Sequence, residues 1–348
     1  MAVRELYRQN DYPVFQNRMH DTAESARACD AGILRLVQDE ETGLVFNEAF
    51  DPALLHYDSS YQNEQGHSPV FDAHMEQVAD LILTKMGKQS LIEVGCGKGL
   101  FLAKLRDKGA EITGFDPAYE GDDPSIVKEL FDDSKPMQGR GLILRHVLEH
   151  ISDPVGFLHQ LSAANGNQGL IYIEVPCFDW ILANKAWFDL FYEHVNYFRL
   201  SDFDRIFERT VHLGRGFNNQ YLTVIADLSS IRTPVAQDAD KVQLPYSFMP
   251  DLSSVGTSGQ IIWGGASKGV IYGLLSQRAG RPVARVIDIN PAKQGKFLAA
   301  TGLKVEAPEA VLPELAAGTT IVVMNPNYMS EIQSMGGPGF NYVSVHDI

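Results

Sequence analysis

One short segment of the sequence concentrates side chains that can move protons. Residues 191–198 read Phe-Tyr-Glu-His-Val-Asn-Tyr-Phe, so the carboxylate of Glu193 directly precedes the imidazole of His194, and Tyr192 comes one position earlier. Histidine is the usual general base near neutral pH, and an adjacent carboxylate can orient it or raise its basicity. These residue types predict a general base at His194. The alternative interpretation is a solvated pair at a helix–loop junction.

A second segment predicts a binding site for a small molecule. Residues 91–102 read Leu-Ile-Glu-Val-Gly-Cys-Gly-Lys-Gly-Leu-Phe-Leu, which is a short strand followed by a glycine turn and the start of a helix. Gly95 and Gly97 would let the backbone turn sharply and approach a ligand, and Gly99 would keep the helix close to the sheet. The third glycine comes one residue earlier than in the dinucleotide fingerprint, which argues against a pyrophosphate ligand.

Two acidic residues beside this turn fit a nucleoside that carries an amino acid. Glu93 ends the predicted strand, where it can accept hydrogen bonds from an ammonium group. Asp116 follows the strand-like residues 111–115 and is placed to bind both hydroxyls of a ribose. The alternative interpretation is a glycine turn that only closes a strand–helix corner.

Alternating strands and helices are predicted to position these residues. Apolar residues at helical spacing run from Phe71 to Met86, just before the glycine motif. Strands are then predicted at 91–94, 111–115, 126–131, 141–145 and 170–175, with helices from about residue 100 and over 154–164. This order predicts a parallel sheet covered on both faces, with ligands at the carboxyl ends of its strands. Directly after the predicted strand 141–145 come His146, Glu149 and His150, so we expect them at the carboxyl ends of the strands. The alternative interpretation of His150 is a helix-end histidine.

The sequence is predicted to form four parts. Residues 1–75 form an irregular cap, and its polar loop at 57–68 contains Tyr61 and is either a ligand contact or a solvated connector. Residues 76–228 form the main α/β domain, closed by antiparallel strands at 211–213 and 221–227. Residues 229–256 form a linker, and residues 257–348 form a smaller Rossmann-like unit with a glycine loop at 264–269.

Composition and charge exclude several classes of protein. The chain has 348 residues and a formal net charge of −15, which argues against nucleic acid or an anionic membrane as a partner. The start of the sequence has no apolar core like that of a signal peptide, and later apolar runs are too short to span a membrane. We therefore expect a cytoplasmic protein. Its three cysteines, Cys29, Cys96 and Cys177, are too widely spaced for a disulfide framework or a structural zinc site.

Taken in order, these motifs resemble a known family. The glycine motif, the run from His146 to His150, residues 192–198, the loop at 264–269 and tail segments at 288–295 and 327–332 are similar to the C-methyltransferases that methylate deoxy keto-sugar nucleotides in antibiotic biosynthesis. These are class I S-adenosylmethionine-dependent enzymes. Two features differ: only Cys29 lies where the family carries a four-cysteine zinc domain, and Phe191-Tyr192 replaces the Tyr-His that usually precedes the Glu-His pair.

The resemblance implies a fold, a cofactor and a set of roles. It implies a Rossmann-like class I methyltransferase core, S-adenosylmethionine converted to S-adenosylhomocysteine, a small-molecule acceptor and no metal. It implies removal of a proton from a carbon next to a ketone, followed by attack of the enolate on the methyl group. The implied catalytic residues are His194, Glu193, His150, Tyr61 and Tyr192. The implied cofactor-binding residues are Glu93, Gly95, Cys96, Gly97, Gly99, Asp116, Pro117 and His146.

Other functions remain open at this point. An O- or N-methyltransferase would use His194 to deprotonate a hydroxyl or an amine, and a small ketone or keto acid is a comparable acceptor. An NAD-dependent oxidoreductase would use the loop beginning at Gly264 and the acid Asp288, which follows the next strand. A cofactor-binding regulatory protein without activity is a third class. The sequence leaves both a monomer and a homodimer open.

Overall fold

The computed structural model describes residues 2–55, 68–132, 134, 137–250, 252 and 259–348. The strands are β1 (Val3–Pro13), β2 (Met19–His20), β3 (Ala31–Asp39), β4 (Val45–Asn47), β5 (Leu91–Val94), β6 (Ile112–Phe115), β7 (Ile126–Val127), β8 (Gly141–Arg145), β9 (Leu170–Pro176), β10 (Thr210–Gly216), β11 (Tyr221–Asp227), β12 (Gln260–Trp263), β13 (Val283–Ile287), β14 (Phe297–Leu298), β15 (Val305–Glu306), β16 (Thr320–Val323) and β17 (Asn341–Ser344). The helices are α1 (Ala23–Arg27), α2 (Pro69–Met86), α3 (Leu100–Asp107), α4 (Pro154–Ala164), α5 (Phe178–Ala183), α6 (Leu200–Ile206), α7 (Lys268–Arg278), α8 (Pro308–Val311) and α9 (Met329–Gly336).

The central sheet has its strands in the order β10-β11-β9-β8-β5-β6-β7. Strands β9, β8, β5, β6 and β7 are parallel, and β11 is antiparallel to both β9 and β10. Val94 at the end of β5 pairs with Phe115 of β6 and Leu144 of β8, so the carboxyl ends of these three strands are level. The predicted α/β fold with a Rossmann-like core is confirmed.

Helix α2 leads into the first strand of this sheet. The side chain of Ser68 accepts a hydrogen bond from the backbone N–H of Phe71 and caps the helix, and Pro69 occupies its first turn. The helix ends at Gly87, which has a φ of +84°. Its buried face matches the predicted helical spacing, but the helix begins before Phe71. It therefore extends across the domain boundary predicted after residue 75.

The N-terminal cap is more regular than the sequence predicts. Strands β1, β3 and β4 form an antiparallel sheet, whereas we expected an irregular segment. β3 buries Leu34, Leu36 and Val37, but β1 carries mostly half-exposed polar side chains and its register shifts twice along the pair. Without apolar alternation in β1, the local pattern gives no signal for a strand. The residues of β1 form a strand because they pair with β3.

The C-terminal unit contains a five-stranded parallel sheet in the order β15-β13-β12-β16-β17, which confirms the second α/β unit. β14 pairs with β2, so the C-terminal unit and the cap are in contact. The predicted linker contributes Val242, Phe248 and Leu252 to the hydrophobic core that the cap shares with this unit. Within the described ranges, no helix has the length and apolar character needed to cross a membrane.

Candidate active site

The glycine turn after β5 has the backbone conformation that its sequence requires. Gly95, Gly97 and Gly99 have φ values of +72°, +54° and +77°, which favour glycine. A Cβ on Gly95 would lie 2.5 Å from Cγ2 of Val147, so a side chain there would clash. A Cβ on Gly97 would meet no described atom within 4 Å. The turn therefore presents exposed main chain at Gly97, as the motif predicts.

Asp116 lies directly opposite this turn. Its Oδ2 accepts a hydrogen bond from the backbone N–H of Gly97 at 2.7 Å, and its Oδ1 accepts one from Ala118 at 2.9 Å. The neighbouring Pro117 is exposed. Cys96 is buried, and its Sγ points toward Gly114 of β6, so only its main chain belongs to the turn. The structure thus brings the predicted ribose-binding acid and the glycine turn into contact.

Glu93, the next-to-last residue of β5, is almost fully buried with 3% of its surface exposed. Among the described residues, its Oε2 has no hydrogen-bond partner. Burial raises the pKa of Glu93 to about 8; the charge of Arg145 opposes this rise and that of Asp116 adds to it. A buried carboxylate without a partner is costly, and a cationic ligand group would satisfy it.

Glu174 at the end of β9 organises a buried cluster of charged and polar groups that the sequence analysis missed. It is fully buried and lies 3.0 Å from the guanidinium of Arg145, 3.1 Å from Nε2 of His146 and 3.3 Å from Nε2 of His74. The hydroxyl of Tyr172 donates to its other oxygen at 2.6 Å. A single glutamate inside an otherwise apolar buried strand is the signal that could have found it, because a buried charge requires partners.

His146 connects this cluster to the carboxyl end of β8. It has a φ of +53°, and Glu149 lies 3.4 Å from its Nδ1. Burial alone would lower the pKa of His146, but hydrogen bonds to Glu149 and Glu174 outweigh it and raise the pKa to about 9. His146 is therefore a cation at neutral pH. A non-glycine residue in this conformation is strained, and such strain often accompanies a functional site.

The structure brings His150 and His194 together, although they are far apart in the sequence. Their rings lie 4.9 Å apart, edge to face. Nδ1 of His150 lies 2.9 Å from the backbone carbonyl of Glu193. Burial is the main cause that lowers the pKa of His194 well below its ordinary value, and repulsion from His146 and Lys268 adds to the effect. The surroundings therefore do not raise the basicity of His194, and its role as a general base stays a prediction.

Main-chain contacts hold the segment that bears His194. The backbone N–H of Asn196 donates to the carbonyl of Glu149 at 3.0 Å, and its side-chain amide donates to the carbonyl of Ile151 at 2.6 Å. The next residues pair with β4 of the cap, since Asn47 donates to the carbonyl of Val195 at 2.7 Å. These contacts hold the segment that bears His194 between the cap and the residues that follow β8.

The other predicted catalytic residues have different surroundings. Glu193 is buried and its Oε1 accepts the backbone N–H of Gln16 in the cap at 3.2 Å. Tyr192 is fully buried, and its hydroxyl accepts the backbone N–H of Asp51 at 2.9 Å. Both side chains therefore contact the cap. Tyr61 lies outside the described residues.

The second glycine loop, after β12, is crowded where the first is open. The N–H of Gly265 donates to Oδ2 of Asp288 at 2.8 Å, and Lys293 lies 3.4 Å from the same oxygen. A Cβ on Gly265 would lie 3.0 Å from Cγ1 of Val305. Asp288 is buried within its own unit. This environment disfavours the alternative in which Asp288 binds the ribose of a dinucleotide.

Comparison with known proteins identifies a domain that spans the first glycine turn. Residues 26–218 match the family model described as Methyltransferase domain, which is more than half of the chain. The chain belongs to this methyltransferase family. The matched range contains Gly97, Asp116, His146, His150 and His194, so the methyltransferase domain includes both the turn and the histidine pair.

One curated relative of the methyltransferase domain is the C-methyltransferase NovU of Streptomyces niveus. The two proteins are 26% identical over 151 residues, which cover 39% of this chain and 36% of NovU. The chain thus matches about a third of the length of this relative.

Two solved structures are also similar to the domain. The 1,6-didemethyltoxoflavin-N1-methyltransferase of Burkholderia thailandensis, with bound 1,6-didemethyltoxoflavin and S-adenosylhomocysteine, is 14% identical, with a TM-score of 0.34 over 47% of this chain and 81% of that chain. The N-methyltransferase NodS of Bradyrhizobium japonicum WM9 is 13% identical, with a TM-score of 0.33 over 46% of this chain and 97% of that chain.

Proposed function

We propose that this protein transfers a methyl group from S-adenosylmethionine to a carbon atom next to a ketone. The position of His194 carries the proposal. This histidine is half-buried and lies beside His150, just beyond the end of β8. β8 is the direct neighbour of β5, which ends in the glycine turn. The carboxyl ends of adjacent parallel strands lie on the same side of the sheet, so His194, which packs beside His150, is expected on the side where the glycine turn lies.

The residues around the turn fit this cofactor. Glu93 has a buried oxygen that lacks a partner among the described residues, which suits the ammonium group of the amino acid moiety. Asp116 suits the ribose hydroxyls, and the open space beside Gly97 suits close approach to the main chain. S-adenosylmethionine would supply a methyl group on a positively charged sulfur and leave as S-adenosylhomocysteine. The roles assigned to Gly95, Cys96, Gly99, Pro117 and His146 stay predictions.

The chain itself supplies a base and its orientation. In this proposal, His194 accepts the proton from the carbon next to the ketone, and the electron pair of that C–H bond passes through the enolate into the new carbon–methyl bond. Burial is the largest cause of the lowered pKa of His194, and the charge of His146 adds to it, so His194 begins the reaction neutral. Asn196 fixes the segment, so the reacting groups are oriented before the substrate binds.

The acceptor class rests on the sequence resemblance and on one relative. The motifs resemble enzymes that act on deoxy keto-sugar nucleotides, and the name of NovU describes a C-methyltransferase. Both support carbon as the methylated atom. A keto-sugar nucleotide is the first acceptor to test, and a small ketone or keto acid is the second.

Hydrogen exchange separates methylation at carbon from methylation at oxygen or nitrogen. With S-adenosylhomocysteine in D₂O, we expect the protein to catalyse the incorporation of deuterium into a nucleotide-linked keto-sugar at the carbon next to the ketone. With S-adenosylmethionine, we expect a C-methylated sugar, which mass spectrometry and NMR would identify. His194→Ala should slow both reactions by roughly 10²–10⁴-fold. His159→Ala replaces an exposed histidine on α4 and should match the wild type. A methylated oxygen or nitrogen, formed without exchange at carbon, would contradict the proposal.

A further inference from the structure

We propose that Glu149, His150 and His194 form a binding site for one first-row divalent transition-metal ion such as Zn²⁺. One ligand atom from each of these side chains lies within 4.8 Å of the other two. Two imidazole nitrogens and one carboxylate oxygen form a donor set that zinc commonly accepts, with a further position left for water or substrate. The family resemblance implied no metal, so this site is not among the predictions from the sequence.

Glu149 provides the independent observation that points to a cation. It is 1% exposed, and its Oε1 lies 3.4 Å from Nδ1 of His146. Among the described residues, its Oε2 has no hydrogen-bond partner. A buried carboxylate oxygen without a donor costs free energy, and a bound cation would remove that cost.

The hydrogen bond made by His150 sets the tautomer that a metal needs. Its Nδ1 lies 2.9 Å from the backbone carbonyl oxygen of Glu193. A carbonyl oxygen only accepts, so Nδ1 carries the proton and Nε2 of the neutral ring carries the lone pair. Metal-binding histidines usually donate their other ring nitrogen to a carbonyl or a carboxylate in this way.

The two chain segments that supply the ligands are already joined. The 3-10 turn Leu148–His150 bears Glu149 and His150, and Asn196 lies two residues after His194. Asn196 bonds through its backbone N–H to the carbonyl of Glu149 and through its side chain to the carbonyl of Ile151. Ligand atoms around one tetrahedral zinc lie about 3.4 Å apart for bonds of about 2.1 Å. Side-chain rotations on this fixed backbone can close the remaining distance.

Metal binding at this site would compete with proton transfer. The ion and the substrate proton need the same lone pair of His194, so the loaded protein should be inactive in methyl transfer. This consequence rests on the proposed function, whereas the binding of the ion does not.

The test measures metal binding to the full chain without cofactor or acceptor. After treatment with a chelator and desalting, Zn²⁺ is titrated by calorimetry, retained metal is counted by mass spectrometry, and Co²⁺ is added to read the ligand field from its visible absorption. We expect one ion per chain and a Co²⁺ spectrum typical of histidine ligation. Glu149→Gln and His194→Ala should each weaken binding by at least about 10- to 100-fold, whereas His159→Ala should bind as the wild type does.

Several outcomes would overturn the site. One is the absence of Zn²⁺ binding by the wild type. Another is equal binding by the wild type and a folded Glu149→Gln or His194→Ala variant, which would mean adventitious binding at the surface. Circular dichroism establishes folding, and if Glu149→Gln does not fold, His194→Ala decides the result. Binding of Zn²⁺ without loss of methyl transfer would support the metal site, but it would contradict the proposed competition between the ion and the substrate proton for His194. Because the titration contains no methyl donor, a failure of the proposed function leaves its result intact.

Discussion

Oδ2 of Asp116 lies 2.7 Å from the backbone nitrogen of Gly97, and this bond joins the end of β6 to the turn that follows β5. The same relationship recurs in the C-terminal unit, where Oδ2 of Asp288 lies 2.8 Å from the backbone nitrogen of Gly265. The surroundings differ: Gly97 is exposed, but Gly265 is buried against Val305. One of two similar corners therefore has room for a ligand beside its main chain.

Replacing Asp116 tests the ribose contact. Asp116→Ala should weaken the binding of S-adenosylhomocysteine by about 1.5–3 kcal/mol, or roughly 10- to 150-fold in Kd, because it removes a charged hydrogen-bond acceptor. Isothermal titration calorimetry gives the Kd directly. Asp122→Ala, an exposed acid further along the same loop, is the matched control and should bind normally. Equal affinities in the two variants would place the ribose elsewhere.

Alanine at Gly97 tests where the cofactor meets the main chain. Gly97 and Gly318 both have positive φ values, +54° and +79°, and a Cβ on either would meet no described atom within 4 Å. Gly97→Ala and Gly318→Ala should therefore each lose about 1–2 kcal/mol of folding free energy through backbone strain. Only Gly97→Ala should also lose affinity for S-adenosylhomocysteine. Urea unfolding measures the loss of folding free energy in both variants, and calorimetry measures their affinity for the ligand. Normal affinity in Gly97→Ala would mean that the ligand does not approach this main chain.

The raised pKa of Glu93 predicts a pH dependence of cofactor binding. At pH 7 the carboxyl is mostly protonated, because its pKa is about 8, and it must ionise to pair with an ammonium group. Affinity for S-adenosylhomocysteine should rise as pH increases from 6 to 8, and binding at pH 7 should release about one proton per chain. Calorimetry in buffers of different ionisation enthalpy measures that proton. In Glu93→Gln the observed heat should not depend on the buffer, and a buffer-independent heat in the wild type would contradict the contact.

Removing the charge of Glu174 tests the buried cluster. Glu174→Gln leaves Arg145 and His146 without their shared carboxylate, and breaking a buried ion pair in this way costs about 3–5 kcal/mol of unfolding free energy. Urea unfolding followed by fluorescence measures the loss. Glu208→Gln changes an exposed glutamate after α6 and should leave stability within about 0.5 kcal/mol of the wild type. Similar stability in both variants would mean that Glu174 does not stabilise the fold.

The main strands of the central sheet could be predicted from the sequence because their signals are local, whereas the strand predicted at 126–131 is only the short β7, Ile126–Val127. Strands β5 and β8 are short apolar runs, and the glycine turn after β5 shows the three positive φ values that its spacing predicts. The cap could not be predicted, because the polar strand β1 becomes a strand only through its pairing with β3.

The candidate site was predictable only in part. Its residue types were visible: Glu93, Asp116 and His194 each stood in a motif whose chemistry could be read from neighbouring residues. Their partners were not, since Glu174 meets His74 and Arg145, and Glu149 meets His194, only where distant segments pack together. The sequence by itself determined the glycine turn, because its conformation depends on local residue types, and it predicted His194 as the base on the same local grounds. Only the tertiary structure decided the charge state of His194, because burial and the positive charges around it arise from packing.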